Sequence, residues 1–296
     1  MKKDTLQFKP APLKREEVLG RNVAIVGGTG GIGRALAREL AGYGANVVVV
    51  GQTFRDADMA NIGFIRADLS LMSEARRVAS LLPAESLDLV IFTTGIFAAP
   101  KRQQTAEGLE RDMAVSYLSR LVILQAIAPR LGTGRPAGRA KPRVFVMGYP
   151  GTGQAGALGD LNAERSYRAM GVHMNTVAGN EMLVLDGARR HKQFNVYGLN
   201  PGLIKTDIRS NFLGGSKFVF ALLEGLIGLV TPTADDYAKR IAPLLVAPEL
   251  EARSGALFNS KAQAILPSPG LVPAHIAAFL NESQALVART DASQPA

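Results

Sequence analysis

The chain runs to 296 residues, 47% of them hydrophobic, with a formal net charge of +9 and no cysteine. Such a length and apolar content support a sizeable core, and no shift in composition marks a second domain. The missing cysteine excludes disulfides, zinc–thiolate centres and a cysteine nucleophile. No apolar run approaches the ~20 residues that span a bilayer, and residues 1–7 lack the apolar stretch of a secretory signal. A cytoplasmic protein is therefore expected. The basic excess comes without an aromatic-interleaved stripe or a DNA-binding motif. It reads as a solvated surface that attracts an anionic ligand rather than nucleic acid.

Residues 1–20 are polar and charged, with Pro10 and Pro12, and read as a loose arm. Residues 23–26 are apolar and run straight into Gly27, Gly28, Gly30, Gly31 and Gly33; a helix-forming run then ends at Leu40. A buried strand, a tight turn and a helix start account for that order. The glycines permit the turn and let a ligand approach where a Cβ would collide. The first N–H groups of the helix then favour a pyrophosphate. Gly28-x-Gly30-x-x-Gly33 has the dinucleotide spacing, so a dinucleotide site is expected here.

Residues 45–50 form a second buried strand, and the cofactor's adenosine ribose would lie at its end. A carboxylate there would bind the 2′-hydroxyl of NAD and repel a 2′-phosphate. The chain has Gly51, Gln52 and Thr53 instead, with Arg55 close by and Arg34 beside the glycine turn. This favours NADP and leaves NAD open, since Asp56 and Asp58 lie further on.

A third strand over residues 63–69 ends in Asp68, a short amphipathic helix covers 73–82, and a fourth strand over 87–92 runs into Thr93-Thr94-Gly95-Ile96. Strands separated by helix-length segments indicate a parallel, doubly wound sheet. A long apolar helix is expected over residues 105–128, ended by Pro129, and a basic loop over 132–141 leads to a fifth strand at 143–147. Residues 148–171 are irregular. A helix follows over 173–190, then a sixth strand over 194–199 that ends in Asn200-Pro201-Gly202. Residues 218–230 are strongly apolar and read as a mobile lid over a hydrophobic substrate, or as a core or subunit-contact helix. Thr233 caps a further helix to residue 245, with Asp235 and Asp236 in its first turn. Residues 255–258 suggest a last strand, and 284–296 a C-terminal tail.

Several of these pieces carry a known pattern: Gly27-x-x-x-Gly31-x-Gly33, Asp68-Leu69, the glycine of Phe92-Thr93-Thr94-Gly95, and Pro201-Gly202-Leu203-Ile204-Lys205-Thr206. Through them the chain resembles the short-chain dehydrogenase/reductase family from about residue 20 to 280. The stretch from Asp160 to Asn180 is most similar to its retinol-dehydrogenase-like branch. The resemblance implies one Rossmann-type domain over residues 21–283, with a mostly parallel sheet of about seven strands and a substrate lid near 207–231. It implies a dinucleotide over Gly27, Thr29, Gly31, Ile32 and Gly33. The ribose end would meet Gln52 and Arg55, and adenine would meet Asp68 and Leu69. Thr94, Gly95, Pro201, Gly202, Ile204 and Thr206 would lie toward the nicotinamide. The implied reaction is hydride transfer to or from a carbonyl, an alcohol or a related small apolar substrate. A homodimer or homotetramer is also implied, built through the helices that begin at residues 105 and 173.

The family's catalytic pattern is missing. It uses Tyr-x-x-x-Lys on the helix after strand five, where the lysine lowers the tyrosine pKa and holds the nicotinamide ribose. Here His173 stands at the tyrosine position and Val177 at the lysine position, and none of the six tyrosines is followed by lysine four residues later. Ser116 replaces the family's helix-four asparagine, and Gly148 or Tyr149 stands for its catalytic serine. His173 can carry a proton near neutral pH, with Tyr149, Ser116 or Asn175 as orienting partner, or it simply fills the vacated pocket. Tyr149 could be a displaced acid, although an unactivated phenol with a pKa near ~10 donates poorly. Two readings follow: an oxidoreductase with an atypical proton donor, or a catalytically silent dinucleotide-binding regulator.

Overall fold

Runs of β-branched and aromatic residues flanked by amphipathic segments pair side by side in the computed structural model, which describes residues 1–5, 11–204 and 232–291. The strands are β1 (Asn22–Val26), β2 (Asn46–Gly51), β3 (Ile62–Arg66), β4 (Leu89–Phe92), β5 (Arg143–Met147), β6 (Asn195–Leu199), β7 (Leu257–Phe258) and β8 (Ala264–Ile265). They lie in the order β3-β2-β1-β4-β5-β6-β7-β8. The first seven are parallel and β8 is antiparallel to β7. Strands β4, β5 and β6 are buried along their whole length, as a parallel sheet covered on both faces requires. The expected doubly wound sheet is present, with one strand more than expected.

The helices are α1 (Arg15–Val18), α2 (Gly31–Gly42), α3 (Met72–Leu81), α4 (residues 111–127), α5 (Ala169–Arg190), α6 (Ala234–Val246) and α7 (Pro273–Asp291). Helices α2 and α6 bury their apolar stripes on one face of the sheet, and α3, α4, α5 and α7 on the other. The strand order reverses between β1 and β4, which places a crevice above their carboxyl ends.

Four segments differ from the sequence reading. The long helix starts at Arg111 rather than at residue 105. Gly108 sits at φ +81, the Thr105 N–H closes a turn on the Leu109 carbonyl, and the Glu110 carboxylate caps the helix at the Met113 N–H, 2.8 Å away. Helix α5 starts a turn before His173, at Ala169. The first residues are fastened rather than loose: Leu266 N–H donates to the Lys2 carbonyl and Asp4 N–H to the Ala264 carbonyl, each at 3.0 Å. At the other end, α7 continues to Asp291, burying Ser283, Leu286 and Thr290 where a tail is expected. The proposed lid at 207–231 lies outside the described residues. No helix among the described residues is long and apolar enough to cross a membrane.

Helix α7 also lies on the α4 and α5 surface that the resemblance assigns to a subunit contact. The Tyr117 hydroxyl donates to Ser283 Oγ at 2.9 Å, and the Phe279 ring meets Tyr117 edge-on at 5.7 Å. Leu121, Leu183 and Leu280 line a groove of about 260 Å³ between the three helices.

Candidate active site

Strand β1 delivers the chain into the glycine turn, where side chains would not fit. Gly27 has φ +95, and a Cβ there would stand 2.4 Å from the Thr94 nitrogen. A Cβ on Gly33 would stand 2.4 Å from both the Gly27 carbonyl and Thr93 Oγ1. Thr93 ties β4 to β1 by donating from its Oγ1 to the Val26 carbonyl at 3.1 Å. Helix α2 then begins at Gly31, with Gly30 as its N-cap residue, no side-chain cap and no acid in its first turn. Its N–H groups and positive dipole end are left for an anion. A Cβ at Gly51 would meet Thr29 Oγ1 at 2.3 Å, so β2 also approaches the turn closely. At the end of β4, Thr94 Oγ1 is buried without a hydrogen-bond partner. A cradle free of side chains, an uncapped helix start and an orphaned hydroxyl fit a dinucleotide.

The ribose end departs from expectation in one respect. Arg34 does not face the turn: its Nε donates to Asp56 at 2.9 Å, and Arg38 joins at 2.7 Å. Burial opposes the charge on Asp56, but the hydrogen bonds from the two guanidiniums together with their charges outweigh it and hold the carboxyl below its usual range. Arg55 instead reaches the turn, donating to the Thr29 carbonyl at 2.6 Å, and Gln52 is exposed beside it. Asp68 is exposed at the end of β3, where it accepts from the Ser70 N–H at 3.0 Å, while Leu69 is in the core. Ile32 is half-buried on α2. Past β6, Pro201 and Ile204 are buried, and Gly202 takes φ +68 with its N–H on Asn200 Oδ1 at 3.0 Å. Thr206 lies outside the described residues.

On α5, His173 Nδ1 meets Asp112 Oδ2 at 2.8 Å; the imidazole is 15% exposed and the carboxylate fully buried. The other Asp112 oxygen accepts the Ser116 hydroxyl, and the Ile96 N–H in turn donates to Ser116 Oγ at 3.0 Å. Phe97 stacks on the imidazole with ring centroids 4.2 Å apart. Ser116 therefore acts on His173 through Asp112 rather than directly. Asn175 is committed elsewhere, accepting the Ala157 N–H at 2.8 Å. Tyr149 follows β5 on a half-buried turn whose carbonyl accepts the Thr152 hydroxyl at 2.7 Å. Helix α4 widens to a π turn over Ala114–Leu118, and the carbonyl of Ser116 within it accepts from Asn180 Nδ2 at 2.8 Å. Such a turn is common where a helix serves a site.

Asp112 and Arg120 went unrecognised in the sequence. With Ser116 they stand at i, i+4 and i+8 on a mostly apolar helix, and that polar stripe is the available signal.

Beside Asp112 a cavity of about 60 Å³ is lined by Ile96, Phe97, Gln103 and Glu110. Burial pushes the Glu110 carboxyl up to about 7, against the hydrogen bond from Met113 N–H, and the charge of Asp112 adds to the rise. The folded chain thus keeps a proton that the unfolded chain has released. Its stability is full below the ordinary value of 4.5 and falls as pH rises through about 7. At about 1.4 kcal/mol per pH unit the loss amounts to roughly 3 kcal/mol. Glu110→Gln removes this term, so its stability relative to wild type should grow from pH 5 to 8 in denaturant titrations. A constant difference would contradict it.

The short chain dehydrogenase family model matches residues 21–140. An uncharacterized oxidoreductase of Saccharomyces cerevisiae is 51% identical over 270 residues, covering 90% of this chain and 87% of that protein. Retinol dehydrogenase 14 of Homo sapiens is 26% identical over 283 residues, 84% of this chain and 81% of its own. Among solved structures, the Pseudomonas aeruginosa RhlG/NADP active-site complex matches with a TM-score of 0.60 at 21% identity, covering 82% of this chain and 95% of that one. The 3-ketoacyl-(acyl-carrier-protein) reductase of Brucella melitensis complexed with NADH gives a TM-score of 0.59 at 18% identity, over 82% and 97% of the two chains. At these identities the structures share the fold.

Proposed function

The chain belongs to the short-chain dehydrogenase family and is an oxidoreductase; we propose that it interconverts an apolar carbonyl compound and its alcohol with NADP, using His173 as the proton donor. The observation that carries this reading is the 2.8 Å contact between His173 Nδ1 and the buried Asp112. A carboxylate on Nδ1 fixes the ring's orientation and tautomer, stabilises the imidazolium, and leaves Nε2 to exchange a proton with substrate oxygen. Ser116 holds Asp112 from its far side, so the pair is oriented without the lysine that Val177 replaces. Phe97, stacked on the imidazole, offers an apolar wall to the substrate. The dinucleotide, when bound, supplies or accepts the hydride. Gly27, Thr29, Gly31, Ile32 and Gly33 would hold its pyrophosphate, and Asp68 and Leu69 its adenine. Thr94, Gly95, Pro201, Gly202, Ile204 and Thr206 would line the nicotinamide half. A built histidine–carboxylate pair favours turnover over a silent regulator; Tyr149, with no cation in the motif to activate it, is the weaker donor.

With Arg34 held by Asp56, the preference for NADP rests on Arg55. NADPH should bind more tightly than NADH, and Arg55→Glu should weaken NADPH at least tenfold more than NADH, since a lost cation becomes a repelling anion at the 2′-phosphate. Fluorescence titration checks this, and an unmodified protein that prefers NADH would reverse the cofactor assignment. Turnover of either cofactor with a panel of apolar aldehydes and ketones tests the activity. Because α7 occupies the α4 and α5 surface, a family-type pairing through those helices is blocked in this reading. Light scattering at micromolar concentration should return the 31.4 kDa mass of one chain; a dimer that survives substitution of Leu121 and Leu280 by charge would restrict this conclusion to that surface.

A further inference from the structure

Arg120 plays no part in the function proposed above, yet it is 3% exposed and reaches the centre of the site. Its guanidinium donates to the carbonyls of Thr94 and Met147, at the ends of β4 and β5, and to Asn180 Oδ1 at 2.9 Å. Its Nε makes no hydrogen bond, and the orphaned Thr94 hydroxyl belongs to the same residue whose carbonyl it grips. Burial pulls the guanidinium down to about 9, with the charge of Asp112 opposing the fall. A continuous path leads from it to the imidazole. Asn180 donates to the Ser116 carbonyl at 2.8 Å, the Ser116 hydroxyl bonds Asp112, and Asp112 bonds His173.

A cation is expensive to bury, and its field is strong where water is excluded. Position 177, one turn before Asn180 on α5, holds a buried valine and offers no charge. We propose that Arg120 supplies the positive charge beneath the nicotinamide half of the site and makes the protein bind reduced, uncharged nicotinamide more tightly than the oxidised, cationic form. The inference rests on the dinucleotide reading above. The carbonyls of Thr94 and Met147 lie at the carboxyl ends of adjacent strands next to the switch point, where ligands of doubly wound sheets bind. A fixed cation there repels one member of the redox pair and leaves the other untouched.

The test is equilibrium titration of the protein with NADPH and with NADP⁺, for the wild type, Arg120→Lys and Arg120→Gln, beside thermal melting of each. The wild type should bind NADPH roughly tenfold more tightly than NADP⁺, as one unit charge at short range in a low-dielectric site implies. Arg120→Lys should keep that ratio and Arg120→Gln should bring it toward one. A folded Arg120→Gln protein with the wild-type ratio would overturn the inference, because hydrogen bonding alone would then account for Arg120. If Arg120→Gln does not fold, Val177→Lys decides: a second cation, on α5 one turn before Asn180, should raise the ratio, and an unchanged ratio counts against the proposal. Wild-type binding with a ratio of one defeats this inference alone. Failure to bind either form defeats the dinucleotide reading, and this inference with it.

Discussion

Replacing His173 by alanine should lower turnover by about 10²–10⁴-fold, the range a positioned proton donor contributes, while NADPH affinity stays within about twofold. The split follows from geometry. The imidazole bonds Asp112 and stacks on Phe97, whereas the glycine turn and the strand-end loops lie on other elements. Asp112→Asn should cost a comparable amount, since the amide removes the charge that stabilises the imidazolium and can invert the ring's tautomer. Tyrosine alone at 173 should not restore family-type chemistry. The phenol would face the Asp112 carboxylate, which opposes its ionisation, and Val177 would still supply no cation. Pairing His173→Tyr with Val177→Lys addresses the second deficit. Steady-state kinetics with one carbonyl substrate over pH 5–9 checks the series. Full turnover and an unchanged pH profile in the alanine variant would remove His173 from the mechanism.

The glycine turn should give the other large effect, and its residues should fail in different ways. Gly31 takes φ +48 at the first position of α2, a region that a β-branched side chain rarely enters. Gly31→Val should therefore lose at least about 100-fold in dinucleotide affinity while costing roughly 1–3 kcal/mol of backbone strain. Gly33→Ala should act on folding instead. Its Cβ would sit 2.4 Å from the Gly27 carbonyl, and one of the two must move inside a tightly packed crossing of β1, β4 and α2. Overpacking of that kind costs roughly 1–3 kcal/mol. Denaturant melts beside NADPH titration separate the two, and unchanged affinity in a folded Gly31→Val protein would refute the site assignment.

The contrast between what could and could not be read in the sequence has a physical cause. Glycines are legible because positive φ and Cβ collisions admit nothing else, and the buried strands are legible because a parallel sheet is apolar on both faces. The polar stripe Asp112, Ser116 and Arg120 misleads by the same logic. Polar side chains on one helix face ordinarily meet solvent, yet these three are 0%, 4% and 3% exposed. Only the packing of α4 against α5 reveals that they face His173 and Asn180, and no local pattern encodes that meeting. Arg34 misleads through Asp56, a counter-charge 22 residues away along the chain. Strand β8 has two residues, too few for alternation to register.

The seam between residues 2–4 and 264–266 bears on how the chain is made. Strand β8 would otherwise present a bare row of N–H and carbonyl groups, the kind of edge that recruits another chain. Its cover lies far ahead of it in the chain, so the seam closes only after residues 264–266 have been made. A polypeptide halted before Ala264 has a seven-stranded sheet whose last strand lacks its neighbour, and aggregation of such partial products is the hazard this order carries. A bulky fusion placed directly before Lys2 would recreate the same open edge in the completed protein, whereas one joined after α7 would leave the seam intact.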